Sequence, residues 1–169
     1  MIKYYISKNA AILFVGINPH FGSYSRGVPF SNNKMFWYLL SEAGILKETR
    51  EFLMDDTKLK KLYTVISKKY RINFINIIDK PTKDVSQLKK GDETEGVKRL
   101  TKIIKYKKPK VVCFIGKVTF NKFKGNNKFG FGVQSKISGS VIYVMHFPVR
   151  GYASIRVKEL KIVKKLAGL

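Results

Sequence analysis

The amino-acid sequence predicts an α/β fold with a largely parallel sheet that helices cover on both faces. Three short apolar runs, 11–15, 72–78 and 110–116, have the length and the branched side chains of buried strands. Segments with apolar residues at helical spacing alternate with these runs. This alternation favours parallel pairing, because a crossover helix returns the chain to the edge of the sheet where the previous strand began.

The other elements follow from local patterns along the chain. Glycines and prolines punctuate residues 16–34, which are predicted to form a long loop after the first strand. Residues 133–136 and 141–145 flank a Ser-Gly-Ser turn and are predicted to form a hairpin or a bent strand pair. Ser154 is placed to cap the last helix. The predicted helices are 34–43, 57–70, 93–106, 117–124 and 155–166.

Four polar or glycine-containing loops are expected at one edge of the sheet. In open α/β sheets, ligands bind beyond the carboxyl ends of the strands. This rule brings together residues 16–34, 79–86, 116–117 and 146–153. The architecture predicts a site there, although by itself it fits a nucleotide-binding enzyme equally well.

Length and composition indicate a globular protein. At 169 residues with 44% hydrophobic residues, the chain is predicted to form one domain, 1–169, with a sizeable core. No apolar run approaches the ~20 residues of a membrane span, and residues 1–8 lack the layout of a signal peptide, so we expect an intracellular protein without a membrane partner. The lone cysteine, Cys113, falls in an apolar run and is predicted to lie in the core.

The strong positive charge predicts a polyanionic partner. The chain has 34 Lys and Arg against 11 Asp and Glu, a formal net charge of +23. The imbalance is concentrated in residues 96–169, which hold 18 basic residues and one acid, Glu159. Such a surface attracts a phosphate backbone by releasing counterions. Nucleic acid is therefore the expected partner, and on charge alone RNA is allowed as well as DNA.

The familiar cofactor and metal motifs are absent from the sequence. The first loop has neither GxGxxG nor GxxxxGK[ST], and there is no HExxH or Cys/His cluster, so we expect no cofactor and no metal. The acids do not favour a catalytic carboxylate pair. Two histidines, His20 and His146, lie in the predicted rim loops, where they either cap backbone groups or act at the site.

The first loop and the helix after it carry a distinctive series of segments. They read Gly16-Ile17-Asn18-Pro19, then Gly27-Val28-Pro29-Phe30, then Phe36-Trp37 and Ala43-Gly44. These segments resemble the first motif of the mismatch-specific uracil-DNA and thymine-DNA glycosylases, a branch of the uracil-DNA glycosylase superfamily. The likeness continues through residues 74–82, 114–117 and 146–156, so it covers nearly the whole chain.

The resemblance implies a fold and a reaction. The fold is a three-layer α/β/α sandwich with a central, mostly parallel sheet. The reaction is hydrolysis of the N-glycosidic bond of a damaged or mispaired base that has been flipped out of double-stranded DNA. The implied enzyme is monofunctional, metal-independent and monomeric. A Schiff-base lyase is not favoured, because no lysine falls in the first motif.

The resemblance also implies roles for individual residues. Asn18 positions the attacking water, and donors around Ile17 stabilise the departing base. Phe30 stacks on the flipped base, unless it packs only beneath the loop. Asn76 reads the base edge, unless it only ties down the loop. His146 is the second catalytic candidate, and Gly16, Pro19 and His20 complete the base pocket.

The sequence departs from the family pattern at two places. His20 stands where thymine-active relatives carry a small residue and uracil-specific members carry a tyrosine, which favours uracil over thymine. The second motif, 146–152, matches loosely, so that either His146 or Phe147 takes the position of the motif histidine.

The resemblance leaves the DNA contacts and the substrate open. Val149, Arg150 or Tyr152 is the candidate wedge, and Ser23 and Lys117 are candidate phosphate contacts. Uracil, particularly in G:U mispairs, is the expected substrate. The alternatives are thymine in G:T, hypoxanthine or xanthine, and an inactive module that binds lesions.

Overall fold

The computed structural model describes residues 1–149 and 151–169, and these form a five-stranded sheet. The strands lie in the order β2-β1-β3-β5-β4, with β4 antiparallel to β5 and the other pairs parallel. The mostly parallel α/β sheet is thereby confirmed. The strands are β1 (Ile12–Gly16), β2 (Ile72–Asn76), β3 (Val111–Ile115), β4 (Gly132–Ile137) and β5 (Ser140–Met145).

Helices cover both faces of this sheet. They are α1 (Phe21–Arg26), α2 (Met35–Glu42), α3 (Arg50–Met54), α4 (Asp56–Lys69), α5 (Thr94–Lys107), α6 (Lys117–Lys124) and α7 (Ala153–Leu166). None of these helices is long and apolar enough to cross a bilayer.

Alternate residues of the central strands supply two hydrophobic cores. Ile12 and Phe14 of β1 point into the core under α2, α4 and α7, whereas Leu13 and Val15 point into the core under α5 and α6. The period of two along a strand that is buried on both faces explains the continuous apolar runs. Cys113 lies in the first core as predicted, and burial raises the pKa of its thiol.

The structure corrects two local predictions. The loop 16–34 contains the six-residue helix α1, and the five-residue α3 precedes α4. Both helices are too short to show an apolar periodicity. Ser154 does not cap the last helix, because α7 begins at Ala153 after the N-cap residue Tyr152, whose side chain makes no capping hydrogen bond.

Helix α5 packs directly on the chain that follows β2, and Gly96 makes this contact possible. A Cβ on Gly96 would lie 1.6 Å from the carbonyl oxygen of Ile77. We expect Gly96→Ala to lower the free energy of unfolding by about 1–3 kcal/mol, since backbone must move to relieve the overlap. Thermal unfolding measures the loss. Gly130→Ala is the control, because a Cβ at Gly130 meets no atom within 4 Å. Equal melting temperatures for the two variants would contradict the contact.

Candidate active site

The loops at the carboxyl ends of the parallel strands enclose a cavity of about 290 Å³. Four parts of the chain line it: the first loop, the segment after β2, the end of β3 and the segment after β5. They contribute, among others, Asn18, Thr82, Ile115 and Phe147, in that order. Residues of three of the four predicted rim loops, 16–34, 79–86 and 146–153, therefore line one cavity, whereas 116–117 does not and only the preceding Ile115 does. The volume lies near the lower end of ligand pockets, which suits one small ring system.

Gly16 forms part of the cavity because it lacks a side chain. It is the last residue of β1 and pairs with Asn76 of β2. A Cβ on Gly16 would lie 2.3 Å from Cε1 of Phe30 and 2.4 Å from Oδ1 of Asn76. Only glycine allows the aromatic ring and the amide to approach the strand end from the two sides.

Phe30 presents a half-buried ring at the cavity. Its backbone has a φ of 56°, in the left-handed region. Its ring makes edge-to-face contacts, with 5.3 Å between the ring centres of Phe30 and Phe36 and 5.8 Å between those of Phe30 and Phe74. Trp37 fixes the preceding residue by donating a hydrogen bond from Nε1 to the carbonyl of Pro29 at 2.9 Å. The ring thus packs against the core and also lines the cavity, so its packing beneath the loop does not prevent Phe30 from stacking on a base.

Asn76, a residue that lines the cavity, has a buried polar atom with no partner among the described residues. The residue is 0% exposed, and its Nδ2 donates to the Tyr4 hydroxyl at 2.9 Å. Its Oδ1 accepts no hydrogen bond from the described part of the chain. The backbone is fixed separately, because Nη2 of Arg99 donates to the Asn76 carbonyl at 2.9 Å. An unpaired buried acceptor is costly, so a ligand N–H at this point would be bound favourably.

Asn18 lies at the cavity with its amide orientation fixed. Its Nδ2 donates to Oγ1 of Thr82 at 2.7 Å and to the carbonyl of Lys80 at 3.0 Å. Both residues belong to the segment after β2. These contacts occupy the nitrogen and leave the amide oxygen as the group that can accept a hydrogen bond from a water molecule.

His20 caps a backbone group, which was one of its two alternatives, and it also lines the cavity. Its Nδ1 accepts a hydrogen bond from the backbone N–H of Gly22 at 3.1 Å, which caps α1. The half-buried ring also lines the cavity. Because Nδ1 accepts, the neutral ring carries its proton on Nε2.

His146 is not among the residues that line the cavity, whereas the neighbouring Phe147 is. The His146 backbone N–H and Nδ1 both contact the carboxylate of Glu159, with Nδ1 at 2.9 Å. Its ring stacks on Phe131 with 3.5 Å between the ring centres. Of the two alternatives for the second motif, this geometry favours Phe147 at the cavity and His146 outside it.

Arg156 of α7 makes hydrogen bonds to two residues of the segment that contains the candidate wedge residues. It is buried and donates from Nε to the carbonyl of Phe147 at 2.9 Å and from Nη1 to that of Tyr152 at 2.7 Å. Val149 lies between these two residues in sequence, is 50% exposed and lines the cavity. The side chain of Tyr152 is 79% exposed. Arg150, the third candidate, lies outside the described residues.

The two candidate phosphate contacts have different environments. Ser23 is 2% exposed, and its hydroxyl accepts a hydrogen bond from the backbone N–H of Ser31 at 3.0 Å, a placement that does not favour a phosphate contact. Lys117 is exposed at the start of α6, with Nζ 4.5 Å from the centre of the Phe131 ring. Lys83 is a further lysine, which lines the cavity and is exposed.

Sequence reasoning did not identify the residues that orient the functional groups. Thr82 lies inside the segment 74–82, which resembles the family, but only the fold shows that it contacts Asn18. Tyr4 precedes every motif and carries no pattern of its own. Glu159 and Arg156 lie beyond the second motif. The signal for Glu159 was present, since it is the one acid among 18 basic residues in 96–169.

The chain matches one protein-family model over most of its length. The family model described as the uracil DNA glycosylase superfamily matches residues 3–158, which contain every residue that lines the cavity. Members of this superfamily are DNA glycosylases, which hydrolyse N-glycosidic bonds. A match over nearly the whole chain, on an α/β fold with this cavity, shows that the chain belongs to the uracil DNA glycosylase superfamily.

Proposed function

We propose that this DNA glycosylase removes deaminated bases from double-stranded DNA, with uracil as the preferred substrate. The observation that carries the proposal is the buried Oδ1 of Asn76, which lacks a partner among the described residues and belongs to a residue that lines the cavity. An acceptor in that position selects a base that presents an N–H group on its hydrogen-bonding edge.

Deamination creates such an N–H group. N3 of cytosine is an acceptor, whereas N3 of uracil carries a hydrogen, and N1 changes in the same way between adenine and hypoxanthine. The Asn76 oxygen binds the deaminated base and opposes the lone pair of the normal base. Leaving a buried acceptor unpaired costs about 1–3 kcal/mol, which corresponds to rejection of the parent base by roughly 5-fold to 150-fold.

The proposed reaction uses the side chain of Asn18 and the backbone N–H groups around Ile17. A water held by Oδ1 of Asn18 attacks C1′ of the sugar while the glycosidic bond breaks and its electron pair leaves with the base. The water then loses a proton to solvent. A neutral amide orients water and activates it weakly, so catalysis depends on stabilising the departing base anion through donors such as the backbone N–H groups around Ile17.

The reaction is proposed to be monofunctional. A lysine that forms a Schiff base must be desolvated to be nucleophilic at neutral pH. Lys83, which lines the cavity, is exposed. We therefore assign hydrolysis without strand cleavage.

Selection of uracil over thymine is assigned to His20. Its ring lines the cavity and is held in place by the cap at Gly22. A fixed ring can exclude a base that carries an additional methyl group, a discrimination that sterics typically supply at about 10-fold to 200-fold.

The partner is proposed to be duplex DNA bound by a monomer. Val149 is exposed beside the cavity and suits insertion into the base stack, and Tyr152 is also exposed on this segment. The exposed Lys117 and the net charge of +23 attract the backbone. G:U mispairs are the preferred context in this proposal.

A second candidate function is excision of hypoxanthine or xanthine. The Asn76 oxygen supports hypoxanthine, whose N1 carries a hydrogen where adenine has a lone pair. It also accepts from xanthine but does not separate xanthine from guanine, because both carry an N–H group at N1. An inactive lesion-binding module is less well supported, since the Asn18 amide is oriented by the Lys80 carbonyl and Thr82 as a water-binding group requires.

The first test compares duplexes that contain uracil, thymine, hypoxanthine, xanthine or cytosine opposite each base. Alkali cleaves the strand wherever a base has been removed. We expect excision of uracil, and a loss of at least about 100-fold in Asn18→Ala, which removes the water acceptor, with DNA binding retained. Asn126→Ala, in an exposed loop, serves as the control. Tight binding without release of any base would overturn the enzymatic proposal.

The orientation of Asn18 is tested by Thr82→Val. This change keeps the shape of the side chain and removes the oxygen that accepts from Nδ2 of Asn18. We expect kcat for uracil to fall by about 2-fold to 13-fold, the effect of one lost hydrogen bond of roughly 0.5–1.5 kcal/mol. Thr101→Val on the exposed face of α5 is the matched control and should keep full activity. An unchanged kcat in Thr82→Val would argue against this role.

The role of His20 is tested by two substitutions. His20→Gly should raise the ratio of thymine to uracil excision by about tenfold, because it opens the space for the methyl group. Glycine also serves as an N-cap at a cost of only a few tenths of a kcal/mol. His20→Tyr keeps the bulk and should leave thymine excluded. If the ratio is the same in both variants, exclusion of the methyl group arises elsewhere.

A further inference from the structure

We infer that Val85 is a second wedge residue, which enters the DNA base stack from the side of the cavity opposite Val149. The inference rests on the proposed function, because a base stack has to be opened only when a base is flipped out of it. The occupant of this surface is the pair of stacked bases that flank the flipped nucleotide in duplex DNA.

Among the described residues, three exposed apolar side chains lie where the cavity opens to solvent. Val85, Phe147 and Val149 are 40%, 47% and 50% exposed, and all three line the cavity. Single exposed apolar residues are common on protein surfaces, but three of them around one cavity form an apolar rim. Their exposure means that the described part of the chain leaves this rim uncovered.

Val85 and Val149 reach the cavity from opposite sides. In the strand order β2-β1-β3-β5-β4, the central pair β1 and β3 lies between β2 and β5. Val85 belongs to the segment after β2, and Val149 belongs to the segment after β5. A nucleotide that enters the cavity between these segments leaves a gap in the duplex, and each segment presents one exposed valine to that gap.

The turn that carries Val85 is held by its own hydrogen bonds. It is a 3₁₀ turn, Val85–Gln87, and Oδ1 of the N-cap residue Asp84 accepts from the backbone N–H of Ser86 at 2.8 Å. Oε1 of Gln87 accepts from the backbone N–H groups of Lys83 and Asp84 at 2.9 Å and 3.2 Å. Because a backbone N–H can only donate, the Gln87 amide has one possible orientation here. The two side chains form a capping box, which fixes the turn.

The beginning of this segment is attached to the first loop. The backbone N–H of Thr82 donates to the carbonyl of Pro19 at 3.1 Å, and Nδ2 of Asn18 donates to the carbonyl of Lys80 at 3.0 Å. Separating stacked bases is costly, so a side chain inserts most effectively from an element that is ordered before DNA binds. The turn at Val85 meets this requirement.

The charge of the chain favours DNA over a second copy of the protein as the occupant of the rim. Each copy carries a formal net charge of +23, so two copies repel each other. Lys83, two residues before Val85, is exposed and lines the cavity. A cation beside an apolar side chain suits a duplex, in which the phosphate backbone runs beside the stacked bases.

The experiment compares Val85→Ala with the wild type on two duplexes. Both duplexes carry uracil opposite guanine, and the neighbouring pairs are either G:C pairs or mismatches that stack poorly. The rate of base removal is measured in a single turnover with protein in excess, so that product release does not contribute. We expect the rate to fall about tenfold on the G:C-flanked duplex, because two methyl groups leave the contact, and by less than about twofold on the mismatched duplex, whose stack is already open.

A second measurement follows unstacking without hydrolysis. The duplex carries 2-aminopurine beside 2′-fluoro-deoxyuridine, since the fluorine destabilises the positive charge on the sugar and prevents hydrolysis. The fluorescence of 2-aminopurine rises when its stacking is lost. At saturating protein, we expect the wild type to raise the fluorescence and Val85→Ala to raise it less, because one of the two inserting side chains has been shortened.

The matched control is Val65→Ala. Val65 lies on α4, is 46% exposed and is not among the described residues that line the cavity. This variant loses the same two methyl groups from an exposed position, so we expect wild-type rates and wild-type fluorescence. Melting temperatures show whether both variants fold, which is expected because both side chains are exposed.

The outcomes separate the inference from the proposed function. A rate loss confined to the G:C-flanked duplex, with a smaller rise in fluorescence, supports the inference. Equal losses on both duplexes indicate a general fault in the cavity, and an unchanged rate with unchanged fluorescence indicates no insertion, so either result overturns it. If the wild type removes uracil from neither duplex, the proposed activity fails, and the fluorescence comparison alone decides the role of Val85. A wild-type dimer in sedimentation that Val85→Ala dissociates would assign the rim to a second copy and also overturn the inference.

Discussion

The site depends on the close approach of three residues at the end of β1. Gly16 pairs in register with Asn76, and the absence of a side chain on Gly16 leaves room for both the Phe30 ring and the Asn76 amide. Any side chain at this position would fill the space that both groups use. The parallel pairing of β1 with β2 thus brings two distant segments of the chain to a common cavity. Asn18 follows Gly16 by two residues and lines the same cavity.

Amide chemistry makes the neighbouring hydrogen bonds as important as the amides themselves. An asparagine side chain offers a donor and an acceptor of nearly equal shape, so its function depends on which end faces the ligand. For Asn18 the choice is made by the Lys80 carbonyl, which can only accept, and the Thr82 hydroxyl accepts from the same nitrogen. These contacts exist before substrate binds and need no rearrangement during the reaction, which is the arrangement that electrostatic catalysis requires.

The distribution of charge separates structural from DNA-binding roles. Several acids neutralise nearby basic side chains, for example Asp79, which forms a double contact with Arg99, and Asp56, which contacts Arg26 and Lys34. The hydrogen bond from Lys34 helps to lower the pKa of Asp56. Most of the lysines have no acid to pair with, since 34 basic residues face 11 acids. This unpaired charge is available to a phosphate backbone.

The sequence by itself determined the fold class, the cavity loops and the nature of the partner. Apolar runs such as 72–78 and amphipathic segments such as 93–106 predict strands and helices because burial imposes a period on the chain. The tertiary structure alone decided that Phe147 rather than His146 lines the cavity, that Ser23 is buried, and that Tyr4 contacts Asn76. Hydrogen bonds between residues as far apart in sequence as Tyr4 and Asn76 leave no local pattern. Their partners are set by strand pairing and side-chain packing, which become defined only when the chain is folded.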